Sequence, residues 1–161
     1  MTFRIGLGID SHRIGPGGPM RLGGIDIPCD FHLIGHSDAD VLLHAITDAL
    51  LGAAGMDDIG QLFPDTSDEN KDRDSAELLN LAWIKIAQQG FKIINLDCVI
   101  RLERPKIATY KIAIRQRIAS VLRIAVDQIS VKGKTGEATG DIGESRLAEA
   151  HCVALLKKSI P

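Results

Sequence analysis

The 161 residues hold no apolar run approaching the ~18 needed to cross a bilayer as a helix. Cysteine is scarce. Cys29, Cys98 and Cys152 are odd in number, widely spaced and each set in an apolar stretch, which fits neither a disulfide framework nor a CxxC zinc knuckle. They read as reduced packing residues. An excess of one charge is also lacking: a net charge of −2 gives no bulk attraction to nucleic acid or to an anionic membrane. The opening MTFRIGLGIDSHR reaches Asp10 too early to hold a signal peptide, so the expected compartment is the cytoplasm. No internal repeat or low-complexity segment interrupts the chain. With 45% hydrophobic and 25% charged residues, residues 1–161 are expected to form one domain with a real core.

Residues 3–12 alternate, with Ile5, Leu7 and Ile9 on one side and Gly6, Gly8, Asp10 and His12 on the other. That predicts a strand with one apolar face. After a Gly- and Pro-rich turn at 15–19, residues 20–27 read as a second short strand. A helix is expected from about Asp38 to Ala54, capped by Ser37 and ended by Gly55. Its apolar stripe is Leu42, Leu43, Ile46, Ala49, Leu50 and Ala53, and Asp40, His44 and Asp48 fall opposite. The polar segment 61–73 reads as a mobile loop, and Asp74 with Glu77 opens a second helix that Gly90 ends. Residues 91–102 are a strand, about Lys106 to Arg123 a third helix, and 128–133 another strand. Segment 147–157 fits two states, since its Ala-Leu content favours helix while Ala148, Ala150, Cys152, Ala154 and Leu156 alternate like a strand. The expected fold is α+β in two layers, a mixed sheet with helices on one face.

Asp10 and His12 leave the same face of their strand with Cα atoms about 6.6 Å apart, so both can reach one ion. Gly6 and Gly8 would keep that face open. A mixed O/N donor set suits zinc, and three protein ligands with one position free is the catalytic pattern. Alone, the D-x-H pair also fits a solvated strand end. His44 supplies the third donor, lying off the apolar stripe with Asp40 and Asp48 four residues to either side, where a carboxylate can fix the tautomer of a ligating imidazole. His32 and His151 have no such company and read as structural.

In IGHSDAD (34–40), His36 and Ser37 are expected at a helix N-terminus, ready for a phosphate, although Ser37 also fits a simple cap. The loop KGKTGE (132–137) offers backbone donors, two lysines and Thr135 to phosphate, with Glu137 for a divalent metal. It lacks the full P-loop pattern, so a nucleoside triphosphatase is not indicated. Together these features describe chemistry on a polyphosphate.

The segments GxDxH (8–12), HSDAD-x3-HA-x2-DALLGAAG (36–55), DIGQLFPDT (58–66) and ERPK (103–106) resemble the 2-C-methyl-D-erythritol 2,4-cyclodiphosphate synthase family, zinc enzymes of non-mevalonate isoprenoid synthesis. The resemblance spans nearly the whole chain. It implies a homotrimer with active sites between adjacent subunits and zinc on Asp10, His12 and His44, a phosphate oxygen as the fourth ligand. It further implies Mg²⁺ or Mn²⁺ between the diphosphate and Glu137, and His36 and Ser37 on the methylerythritol phosphate. Asp58 and Gly60 would lie near the methylerythritol hydroxyls and the ribose. Lys106, Lys132, Gly133, Lys134 and Thr135 would form the CMP pocket, Thr135 counting also among the catalytic residues, and 61–73 a lid carrying Asp65. The implied reaction converts 4-diphosphocytidyl-2-C-methyl-D-erythritol 2-phosphate to the cyclic diphosphate and CMP. The competing functions are a zinc phosphohydrolase and a non-catalytic trimer that binds CDP compounds or isoprenoid diphosphates.

Two departures from the family pattern stand out. Lys134 and Gly136 replace hydroxyl or amide residues in the phosphate loop, and GESRLAEA (143–150) replaces Gly-Arg-Gly-Glu-Gly-Ile. The second change puts Glu144 where the family has an Arg lining the trimer axis, so an isoprenoid diphosphate is not expected to bind there.

Overall fold

The computed structural model describes residues 1–64 and 73–158. Asp65 and most of the segment read as a lid loop lie outside the described residues. Five strands form a mixed sheet in the order β4-β1-β7-β5-β6: β1 (Thr2–Pro16), β4 (Phe31–Ile34), β5 (Phe91–Arg101), β6 (Ile129–Lys134) and β7 (Leu147–Lys158). All neighbours are antiparallel except β5 and β6. A separate hairpin, β2 (Met20–Leu22) and β3 (Ile25–Ile27), divides the stretch read as a single strand. The helices are α1 (Val41–Ala54), α2 (Ile59–Leu62), α3 (Ser75–Gln88), α4 (Lys111–Leu122) and α5 (Gly140–Gly143). None among the described residues is long and apolar enough to cross a membrane.

Helix α1 lies against β1 and β7, with α3 beside it and α4 beside α3, so the three long helices cover one face of the sheet. The ambiguous segment is therefore a strand. It pairs with β1 on one side and β5 on the other, and Ala148, Ala150, Cys152, Ala154 and Leu156 are fully buried beneath the helices. A central strand buried on one face needs small and branched apolar residues at alternate positions, and that tertiary requirement overrides the helix propensity of Ala and Leu. Cys98 and Cys152 face each other across β5 and β7 as buried free thiols, as expected of packing residues.

The apolar alternation of β1 points away from this core. Gly6 and Gly8 face α1, while Phe3, Ile5, Leu7 and Ile9 are exposed at 57%, 73%, 60% and 51% on the open side of the sheet. The glycines do not keep a site open. A Cβ on Gly8 would stand 1.9 Å from the Ala45 carbonyl oxygen, and one on Gly6 1.9 Å from that of Ala49. Backbone of helix and strand are in direct contact there, which seats the next turn of α1 over the Asp10 end of β1.

Helix α1 also begins later than the sequence suggested. Its N-cap is Asp40, not Ser37, and the Asp40 side chain accepts from Leu43 N at 3.1 Å. The same fully buried carboxylate accepts from Gly23 N at 2.9 Å and Gly24 N at 2.6 Å in the hairpin turn. Burial outweighs these bonds and pushes its pKa up. The helix N-terminus is closed by this carboxylate and the hairpin, and His36 and Ser37 precede it in the bend that follows β4. Helix α4 likewise starts at Lys111, five residues after the expected Lys106, because 103–110 is occupied by turns around Pro105.

Candidate metal centre and phosphate loop

Three donor atoms from two elements meet at the end of β1. Asp10 Oδ2 is 3.0 Å from His12 Nε2 and 3.0 Å from His44 Nδ1, and the two ring nitrogens are 3.1 Å apart. Tetrahedral ligands ~2.0–2.1 Å from a zinc ion stand roughly 3.3 Å from each other, so the trio closes on one such ion with a shift of a few tenths of an ångström. It is the one group of three or more acidic, His or Cys ligands with this spacing among the described residues.

The outer partners hold the two imidazoles in ligating tautomers. His12 Nδ1 donates to the Ile34 carbonyl at 3.1 Å, leaving Nε2 as the donor atom for a metal. His44 uses Nδ1 instead, and its Nε2 lies 2.9 Å from Ser75 Oγ and 3.1 Å from Ser37 Oγ. The flanking carboxylates expected to orient His44 do not. Asp40 is the helix cap, and Asp48 Oδ1 accepts from Ile59 N at 2.8 Å, tying α2 to α1. Ser75 at the start of α3 and Asp38, which accepts from both the hydroxyl and the N–H of Ser75, have no local signal in the sequence, because the contact joins segments 37 positions apart.

The charges at the centre reinforce one another. Burial would raise the Asp10 pKa, but hydrogen bonds and attraction from His12 and His44 override it and hold the carboxyl well below the usual range. Burial would lower the His44 pKa, and the Asp10 carboxylate outweighs it and raises it. The protein thus presents an ionised oxygen at the centre before any cation arrives.

A cavity of about 400 Å³ opens beside the triad, lined by His12, His36, Ser37 and His44 and, across it, by Asp58, Ile59, Gly60, Gln61, Phe63 and Leu78. Asp58 caps α2 by accepting from Gln61 N at 2.9 Å. The wall is polar near the metal ligands and apolar at Ile59, Phe63 and Leu78, which suits a small phosphorylated molecule with a hydrocarbon part.

The KGKTGE loop borders a second, separate cavity of about 130 Å³ between Lys106, Ile107, Ala108, Lys111, Leu102, Gly133, Lys134 and Thr135. Lys132 does not line it; its Nζ bonds Asp97 Oδ2 at 2.7 Å. Glu103, unmarked by the sequence reading, holds the loop by accepting from Gly136 N at 3.0 Å. Gly136 itself is packed against backbone, since a Cβ there would come 2.3 Å from Gly143 N. Glu137 is exposed and belongs to no group of three ligands among the described residues.

Both cavities lie at one end of the sheet. Asp10, Ala150, Ile100 and Gly133 are successive partners across β1, β7, β5 and β6. Three strand spacings separate the outer two, about 14 Å. Among the described residues, the cavity beside His12 and His44 and the one beside the loop share no lining residue.

A family model described as the YgbB family matches residues 3–157. The 2-C-methyl-D-erythritol 2,4-cyclodiphosphate synthase of Rhodopirellula baltica is 48% identical over 98% of this chain and 95% of its own length. Among solved structures, IspF of Plasmodium falciparum in complex with CDP superposes with a TM-score of 0.86 at 37% identity, covering 98% of this chain and 97% of that one. The bifunctional IspDF of Campylobacter jejuni superposes with a TM-score of 0.94 at 39% identity, and this chain, 98% covered, spans 43% of it.

Proposed function

The chain belongs to the YgbB family, and we propose that it is a 2-C-methyl-D-erythritol 2,4-cyclodiphosphate synthase, a phosphorus–oxygen lyase, with residues 1–161 acting as one synthase domain. The observation that carries this is the convergence of Asp10 Oδ2, His12 Nε2 and His44 Nδ1 beside a cavity of sugar-phosphate size. An oxygen of the substrate's 2-phosphate attacks the β-phosphorus, the bond from that phosphorus to the bridging oxygen breaks, and CMP leaves with the electron pair. A phosphate nucleophile is already ionised, so no general base is required. The site's work is to hold both phosphates in line and to stabilise charge as it moves.

Zinc is the metal the donor set suits, and Asp10, His12 and His44 would hold it. When present it supplies a Lewis acid to a phosphate oxygen. His36 and Ser37 hold the 2-phosphate end, Asp58 and Gly60 the erythritol hydroxyls, and Asp65 belongs to the same substrate-binding set. Lys106, Gly133, Lys134 and Thr135 hold the CMP end, and Glu137 is the residue that would bind Mg²⁺ or Mn²⁺ with the diphosphate. Lys132 contributes to the nucleotide end only through its place in the loop.

The working enzyme is a homotrimer assembled through the open face of the sheet. The exposed stripe of Phe3, Ile5, Leu7 and Ile9, with Val153 beside it, supports this, since a row of large apolar side chains across a sheet face is an association surface. Three copies also let the triad half of one chain meet the loop half of the next. The axis binds no isoprenoid diphosphate: Arg146 is already paired with Asp141 and Glu144, so no free cation remains at that position.

Phosphorus NMR on the purified protein with substrate separates the alternatives. The expected spectrum shows the cyclic diphosphate and CMP growing together. A linear bisphosphate in place of the cyclic product would make the protein a hydrolase, and unchanged substrate would make it a binding protein.

A further inference from the structure

Two serine hydroxyls compete for one imidazole nitrogen at the metal centre, and they are not equivalent. Ser75 Oγ is 2.9 Å from His44 Nε2 and only 1% of the residue is exposed; Ser37 Oγ is 3.1 Å away, half-buried, and lines the cavity. Ser75 also donates through Oγ to Asp38 Oδ1, and its backbone N–H donates to Asp38 Oδ2 at 3.1 Å. Arg21 of the hairpin lies 3.6 Å from Asp38 Oδ2 and 3.6 Å from Asp74 Oδ2, bridging the two segments that carry the pair.

An ionised carboxylate accepts and cannot donate. The Ser75 proton therefore points at Asp38, and the lone pair of Ser75 faces His44. With a metal bound, Nε2 must then carry the one proton of the imidazole, and the Nδ1 lone pair is left for the ion, 3.0 and 3.1 Å from the other two donor atoms, Asp10 Oδ2 and His12 Nε2. With His44 served by Ser75, the hydroxyl of Ser37 keeps its own proton for a phosphate oxygen in the cavity.

We infer that Ser75 and Asp38 are the positioning pair of the metal centre: they fix His44 as a metal ligand through Nδ1 and so free Ser37 to donate to the substrate. The inference rests on the proposed metal centre and goes one layer beyond it. Neither residue touches the ion or the substrate. They act through the order of protons along Asp38, Ser75 and His44. Outer partners of ligating histidines typically govern metal affinity by about 10–100-fold.

The test measures zinc affinity by competition with a chromophoric chelator, together with the proton NMR signal of the His44 Nε2–H in the zinc-loaded protein. Ser75→Ala should weaken zinc by about 10–100-fold and broaden that signal by exchange with water, with far-UV circular dichroism unchanged. Ser37→Ala should leave zinc affinity within about threefold and the signal sharp, and should raise KM for the substrate. Should Ser75→Ala not fold, Asp38→Asn replaces it. An Asn amide can turn its N–H₂ toward Ser75 and reverse the proton order, so it too should weaken zinc and broaden the signal. Wild-type zinc affinity and a sharp signal in Ser75→Ala, or in Asp38→Asn, would overturn the inference. So would a Ser37→Ala variant that loses zinc as Ser75→Ala was expected to. A wild-type protein that binds no zinc would fail the metal centre itself, a different result from a zinc-binding protein indifferent to Ser75.

Discussion

Asp10 and His44 shift each other's proton affinity through a 3.0 Å contact, and His12, 3.0 Å from the same Asp10 oxygen, adds to the lowering at Asp10. In the metal-free protein the lowered Asp10 pKa contributes stability above the ordinary carboxylate value of ~4, lost as pH falls. The raised His44 pKa contributes stability in full below the ordinary imidazole value of ~6.5, lost as pH rises through the raised value. Zinc runs the other way, because it must displace the proton of His44. Calorimetry with and without zinc should show the zinc-induced rise in Tm growing steadily from about pH 5 to pH 8 as that proton is lost. A larger zinc effect at pH 5 would contradict the ligand set. The convergence of Asp10, His12 and His44 was legible at this scale because strand alternation and helix spacing are local rules. Asp40, Asp48 and the capping role of Ser37 were misread because their partners are Gly23 and Gly24 for Asp40, Ile59 for Asp48 and His44 for Ser37, which no local pattern reveals.

Strand β1 and helix α1 meet without side chains between them, and the metal centre depends on that closeness. His44 and Ala45 are neighbours on α1, and the Ala45 carbonyl lies where a Gly8 side chain would begin. Gly8→Ala must push α1 outward, carrying His44 away from Asp10 and His12. Overpacking of this kind costs about 1–3 kcal/mol. The variant should melt several degrees lower and bind zinc more weakly than the wild type, read by calorimetry and chelator competition. A variant with full zinc affinity would show that α1 can be displaced without moving the ligand. The alternation of Gly6 and Gly8 with larger residues was visible in the sequence, but its meaning was inverted, since an absent side chain is equally consistent with empty space and with close-packed backbone. Segment 147–157 was undecided for a related reason: its neighbours on both edges come from strands far away in the chain.

Across the whole molecule, the sheet has one face covered by helices and one left bare, and the bare face carries the most apolar row of β1. Ile5→Asp places a charge in the middle of that row without touching the triad or the loop. Light scattering should find the wild type as a trimer and the variant as a monomer, with zinc still bound and cyclisation lost. A fully active monomer would show that one chain suffices. The sheet and its single helical layer were legible from the order of elements, while the use of the bare face required the strand orientation, which alternation alone leaves open.

The triad and the phosphate loop stand about 14 Å apart on one chain, and the proposed enzyme works because a second copy closes that gap. Mixing two inactive variants tests this directly. His12→Ala removes a ligand from the triad half, and Lys106→Ala removes a cation from the loop half. After the two are unfolded, combined in equal amounts and refolded as trimers, about a quarter of the sites should join an intact triad from one chain with an intact loop from its neighbour. Cyclisation should return to roughly 25% of the wild-type rate in the mixture, although each variant alone is nearly inactive. A mixture no more active than its components would contradict a site shared between copies and return both halves to a single chain.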